Sequence, residues 1–169
     1  MNNFLKIINI RKIYFKDLIL YTIFFLIFFL SDRFTKNYII QYFLQNSDDI
    51  IINNYLNIIL NWNSGIGFGL FSDFNNLIYN LLLLLILFII LFIFFMFLKS
   101  SNLEKIPYFL IIVGAFGNFY DRIKYSAVPD FIDFHIGSFH WFTFNFADIY
   151  ITFGVIAIII INLKINNEK

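Results

Sequence analysis

The chain has 169 residues, a length that suits one domain. Only 14% of them are charged, 60% are hydrophobic and the formal net charge is +1, which points away from the soluble class and from nucleic-acid binding, where a strongly basic surface is needed. The absence of cysteine excludes disulfides, thiolate catalysis and cysteine-ligated metals, and two histidines, His135 and His140, cannot alone make a usual zinc site.

The N-terminal stretch carries Lys6, Arg11, Lys12 and Lys16, and an uncharged, largely apolar run over residues 18–30 follows. A cleaved signal peptide has the same pattern, but no small-x-small cleavage site follows residue 30. A retained first helix is therefore predicted over residues 18–36. Residues 77–98 are uncharged, with only Tyr79 and Asn80 mildly polar. As a helix they reach roughly 33 Å, enough to cross a hydrocarbon core of about 30 Å. A soluble helix of that length would show a polar face, and this one shows none, so the chain is read as an integral membrane protein. A short polar loop through Lys105 leads to a third helix over residues 106–126, with Pro107 in its first turn. The fourth is placed over residues 145–164. Isoleucine, phenylalanine and asparagine are abundant and alanine occurs only at four positions, which reads as a coding bias and lowers the weight of those individual choices.

Topology follows from the distribution of basic residues. The N-terminal segment, the loop with Lys99 and Lys105, and the tail with Lys164 and Lys169 belong on one side. Residues 37–76 contain no Lys or Arg but hold Asp48, Asp49 and Asp73. Four spans with both termini in the cytoplasm fit this pattern. Asp32, Lys36, Asn118, Asp121, Arg122, Asn145 and Asp148 then gather at the outer face, with Asp130 in the loop joining the last two helices.

Asn118 and Asp121 are three residues apart, as are Asn145 and Asp148, so each pair shares a helical face. Such pairs serve either as interhelical hydrogen-bonding glue or as the frame of a site. Asp32 and Lys36, four apart with the acid first, fit a plain interfacial ion pair or a brace for that site. Arg122 cannot neutralise every acid nearby, and two close carboxylates do not both ionise readily. Asp130 and Asp148 therefore suit either a protease dyad or a proton relay in a transporter; spacing alone leaves both open. The alternating glycines at 65, 67 and 69 suggest close backbone approach rather than nucleotide binding, since no helix-opening phosphate motif follows. His135 and His140 are read as loop residues facing the headgroups, and Trp62 and Trp141 as interfacial belt residues.

Five blocks, in order, resemble the lipoprotein signal peptidases (signal peptidase II) of bacteria. They are Asp32-Arg33-Phe34-Thr35-Lys36, Asn63-Ser64-Gly65-Ile66-Gly67-Phe68, Gly114 to Arg122, Val128-Pro129-Asp130-Phe131 and Phe144-Asn145-Phe146-Ala147-Asp148. Each is weak alone; five in sequence with fitting spacing are specific. The resemblance implies an aspartic intramembrane protease with Asp130 and Asp148 as the catalytic dyad. Asn118, Asp121, Arg122 and Asn145 would position the dyad and substrate, Asn63 and Arg122 would contact the substrate backbone, and Asp32 and Lys36 would brace the site. It further implies a diacylglyceryl-modified prolipoprotein substrate cut before its lipidated cysteine, inhibition by globomycin-type compounds, and no cofactor or metal. Three departures stand out: Ile66-Gly67 in place of Ala-Ala, Ser126 where Gly is usual, and Phe142-Thr143 where a proline is common.

The sequence-based expectation is thus an all-α membrane protein acting as a monomer in the bacterial cytoplasmic (inner) membrane. It has four transmembrane helices, and a small extracytoplasmic β-cradle over residues 46–74. The competing readings are a proton-coupled transporter, which would more often show inverted repeats, and a non-catalytic membrane scaffold.

Overall fold

The computed structural model describes residues 15–65 and 76–167. The basic residues Lys6, Arg11 and Lys12, the Ile66-Gly67 departure, Gly69, Asp73 and Lys169 lie outside them. The elements run α1 (Phe15–Gln45), β1 (Ile50–Asn53), β2 (Leu56–Asn63), α2 (Asn76–Lys99), α3 (Asn102–Tyr125), β3 (Val128–Ile136), β4 (Phe139–Phe144) and α4 (Phe146–Asn167).

Three of the helices are long and apolar enough to cross a membrane: Phe15–Gln45, Leu77–Lys99 and Phe146–Ile165. Most of their side chains point away from the protein, as a lipid-facing surface requires. Four spans were expected, and α3 is the one that falls short. It carries Glu104, Lys105, Asn118, Asp121, Arg122 and Lys124. The reason is its position: α3 packs against α1, α2 and α4, and buries Phe109, Ile111, Val113, Gly114, Gly117, Asn118 and Asp121. A helix enclosed by its neighbours has less need of an apolar exterior.

Two helix boundaries differ from the sequence reading. Helix α1 continues past Lys36 to Gln45, because residues 37–45 contain no glycine or proline and Ile39 is buried. Asp32 and Lys36 therefore lie inside a helix rather than at its end. Helix α3 starts at Asn102, where the Ser101 amide donates to Glu104 Oε2 at 2.8 Å. The expected loop through Lys105 shrinks to Ser100 and Ser101, and Pro107 falls within the helix instead of its first turn.

The helices meet through aromatic side chains at one end and through small residues along α3 and α4. Phe97, Phe109 and Val113 form a buried cluster with Tyr21, Phe25, Phe28 and Tyr150 packed on it. A Cβ on Gly114 would come within 2.3 Å of the Ala147 carbonyl oxygen, and one on Gly154 within 2.7 Å of the Pro107 oxygen. Glycine at both positions lets the two backbones touch, the usual device for packing helices where lipid supplies no hydrophobic drive.

The remaining elements form one antiparallel sheet of order β1-β2-β3-β4. Strands β1 and β2 fall in the region expected to be β. Strands β3 and β4 correct the all-α expectation, which had residues 127–144 as a loop. They join through Gly137, whose φ of 60° suits the first central position of a two-residue hairpin. Asp130 thus stands on a strand paired on both sides, not on a connection.

Ser126 ends α3 with φ 56° and ψ 17°, a left-handed conformation that costs a residue with a Cβ about 1–2 kcal/mol. Its amide bonds the Arg122 carbonyl at 3.1 Å, so the chain turns there with a serine doing what glycine does more easily. Ser126→Gly should raise stability by about 1 kcal/mol. Thermal unfolding in detergent should show a higher midpoint for the variant, and an unchanged or lower one would refute the strain.

Candidate active site

Where α1, α3 and α4 approach the sheet, four charged side chains lie together. Lys36 Nζ donates to Asp121 Oδ2 at 2.7 Å and lies 3.1 Å from Asp32 Oδ2. Arg33 bonds both Asp121 and Asp32, and reaches the Gly117 carbonyl at 3.2 Å. Its guanidinium also stacks over Tyr120 and Phe29 at 5.0 and 5.4 Å. Asp32, Lys36 and Asp121 are all within 1% of full burial. Asp32 Oδ1 accepts from the Ala147 amide at 3.1 Å, which fixes the first turn of α4 to α1. Buried charges survive only when paired and hydrogen-bonded, and these are.

Asn118 links this cluster to the next. Its Oδ1 accepts from Lys36 Nζ at 2.9 Å, and its Nδ2 donates to Asp148 Oδ1 at 2.7 Å. Asp148 sits in the first turn of α4, in a reciprocal cap with Asn145. The Asn145 amide donates to Asp148 Oδ2 at 3.1 Å, and the Asp148 amide donates to Asn145 Oδ1 at 3.2 Å. Asn145 Nδ2 also donates to Asp130 Oδ1 at 2.6 Å, and Asn63 Nδ2 donates to Asp130 Oδ2 at 3.0 Å. One buried asparagine therefore holds both acids. The Asp130 carboxyl is pushed up to about 6, first by burial and then by the Asp148 charge, against the opposing pull of the Asn63 and Asn145 donors.

Asp130 and Asp148 share a cavity of about 180 Å³ with Asn63, Asn118, Arg122, Val128 and the edge of β4 at Phe142, Thr143 and Phe144. An apolar groove of about 200 Å³ begins at Asp148 and follows Ile149, Thr152 and Phe153 along α4. Polar walls thus surround the carboxylates, and an apolar surface leads away from them.

The structure brings together all nine residues singled out from the sequence, and it decides one alternative left open there. Asp32 and Lys36 are not an interfacial pair; both are buried in the centre of the cluster. Asp121 is held by Arg33 and Lys36, while the Arg122 guanidinium donates to the Gly65 and Asn118 carbonyls at 3.0 and 3.3 Å. Asn63 donates to Asp130 and accepts from the Gly65 amide at 3.1 Å. Arg33 was overlooked. Its neighbours in the block drew attention as an i,i+4 pair, yet an arginine in the same apolar helix carried the same signal of a cost that needs a partner.

A family profile described as "Signal peptidase (SPase) II" matches residues 24–164. The chain belongs to the signal peptidase II family. It is 50% identical to the lipoprotein signal peptidase of Pelagibacter ubique (strain HTCC1062) over 160 residues, 94% of this chain and 96% of that one. It is 42% identical over 138 residues to the lipoprotein signal peptidase of Wigglesworthia glossinidia brevipalpis, covering 81% and 89% of the two. Two solved structures of a bacterial membrane enzyme obtained by the in meso method, at 2.3 and 1.9 Å, superpose with a TM-score of 0.73 each. Identities are 29% and 30%, with 95% and 91% of this chain and 95% and 97% of those chains covered. All five sequence blocks lie inside the region matched to signal peptidase II.

Two outcomes test this geometry. Arg33→Met leaves Asp121 with Lys36 alone and should destabilise the protein by about 3 kcal/mol, measured by thermal unfolding; a loss under about 1 kcal/mol would mark the pair as dispensable. The folded protein also keeps a proton on Asp130 that the unfolded chain has released by pH 6. Stability relative to Asp130→Asn should therefore fall as pH rises from about 4 to about 6, by up to about 3 kcal/mol. Unfolding midpoints of both proteins across that window check the sign, and a flat difference would contradict it.

Proposed function

We propose that this chain is a membrane aspartic endopeptidase that removes signal peptides from bacterial prolipoproteins, with Asp130 and Asp148 as its dyad. The observation that carries the reading is the pair of buried carboxylates bridged by Asn145 at the wall of one cavity. Membership of signal peptidase II supports proteolysis of prolipoproteins. The carboxylates supply the chemistry.

With one proton between them, the ionised carboxylate takes a proton from water as that water attacks the scissile carbonyl. The protonated partner donates to the developing oxyanion and then to the leaving amine. No step needs a metal or cofactor. Both acids accept hydrogen bonds only from neutral amides among the described residues, so neither is pinned as a charged partner and the proton is free to move between them. Arg122 and Asn63 border the same cavity, where a substrate backbone in extended form would pass beside β4. The apolar groove along α4 has the chemistry to take acyl chains, which supports a diacylglyceryl-modified cysteine as the residue after the cut. Four spans, cytoplasmic termini, a site near the outer face, a monomer and globomycin-type inhibition complete the proposal.

Asp130→Asn or Asp148→Asn should abolish cleavage of a diacylglyceryl-modified prolipoprotein, read as a gel shift, while the protein still inserts and unfolds cooperatively. Normal cleavage by either purified variant would sink the dyad. Processing of an unmodified precursor at the same rate would sink the lipid requirement alone.

A further inference from the structure

We propose that Asp133, His135 and His140 form a binding site for a divalent transition-metal ion, with zinc the best fit. The site lies in the β3–β4 hairpin and is independent of the peptidase reading. Two histidines alone fell short in the sequence; β pairing supplies the third ligand. His135 and His140 face each other across the hairpin, with their rings stacked at 5.1 Å, and Asp133 is two residues before His135 on the same strand. One donor atom from each of the three lies within 4.8 Å of the others.

His140 Nδ1 and Asp133 Oδ2 share a hydrogen bond at 2.8 Å, a contact that an ion seated between the two would replace. Asp133 Oδ2 is 2.8 Å from His140 Nδ1 and 3.5 Å from His135 Nδ1. Tetrahedral zinc with bonds of about 2.0–2.1 Å holds its donors about 3.3 Å apart, between those two values. Binding would open the 2.8 Å pair by about half an ångström and draw the three donor atoms, which lie within 4.8 Å of one another, to that common spacing.

Unsatisfied atoms give an independent reason. Asp133 is fully buried, yet its Oδ1 has no hydrogen-bond partner, and neither does the buried His135 Nδ1. Directly opposite Asp133 on β2 stands Asn57, whose buried Oδ1 is also unpartnered. Half of the six such atoms among the described residues thus belong to this one patch. A buried carboxylate without a full set of donors is costly, and a cation answers that cost. His140 is 57% exposed, so an ion has a route in and a fourth position is open to water. Because Asp133 and Asp130 are three residues apart on β3, a bound ion would stiffen the strand that carries Asp130.

Tag-free, full-length protein in detergent, stripped with a chelating resin, should bind one equivalent of zinc by calorimetry at neutral pH. Cobalt substituted for zinc should give the intense visible absorption of four-coordination. His140→Ala, at an exposed position and with its metal-free unfolding midpoint checked against wild type, should weaken binding by at least about tenfold. Asp133→Asn should do the same, while Asp130→Asn should bind normally. Binding no stronger in wild type than in His140→Ala would overturn the site, and so would loss of binding in Asp130→Asn, which would place the ion between the two catalytic candidates.

Discussion

Two carboxylates and two cations, Asp32 and Asp121 against Arg33 and Lys36, cancel within one buried knot, and the rest of the architecture depends on that balance. The knot ties α1 to α3 through side chains and α1 to α4 through the Ala147 amide. Removing one member leaves a charge in an apolar interior, which is why such a knot acts as a single unit. It also decides what is left over. Every cation in the cluster is engaged by an acid that belongs to the frame, and Arg122 is directed at backbone carbonyls. Among the described residues, Asp130 and Asp148 then accept hydrogen bonds from amides alone. The division between ion-paired acids that hold the helices and amide-held acids that face the cavity is the physical basis for assigning chemistry to the second pair.

Asn145 gives that pair its geometry. It caps α4, so its backbone position is fixed by the helix start, and through its side chain it reaches across to β3. The separation of the acids is consequently set by where a helix begins relative to a strand, and less by side-chain rotamers. Gly117 adds to this control, because a Cβ there would come within 3.0 Å of Asp32 Oδ2 and press on the carboxylate that the knot holds. Close packing of α3 on α4 and placement of the acids are therefore the same requirement.

Much of this was legible in the sequence. The cost of charge in an apolar chain pointed to Asp32, Lys36, Asp121 and Asp148, and the three-residue spacings of Asn118–Asp121 and Asn145–Asp148 pointed to shared helical faces. Which donor meets which acid was not legible. Asn118 reaches across to Asp148 rather than to Asp121, because helix crossing, not sequence spacing, brings those atoms together. The strand carrying Asp130 was missed although one partner, β4, follows it through a two-residue hairpin; the other, residues 56–63, lies far back in the chain, and long-range pairing leaves little trace in a local pattern. The polar residues of α3 are tolerated because neighbouring helices cover them, which a local apolar pattern does not reveal.

The apolar stretches differ in length in a way that bears on where water and hydrocarbon meet. Residues 77–98 of α2 reach roughly 33 Å, whereas the uncharged run in α1, residues 18–30, reaches only about 20 Å, and α3 offers about 18 Å between Lys105 and Asn118. A bilayer matched to α2 is thicker than the uncharged runs of α1 and α3, although α1 as a whole is long enough to cross it. Either it thins beside them, or the polar knot sits below its surface. In the first case the bilayer is dimpled on one side of the protein's perimeter. The depth of hydrocarbon beside Asp130 and Asp148 is then set by the short uncharged runs of α1 and α3 and not by the longer one of α2.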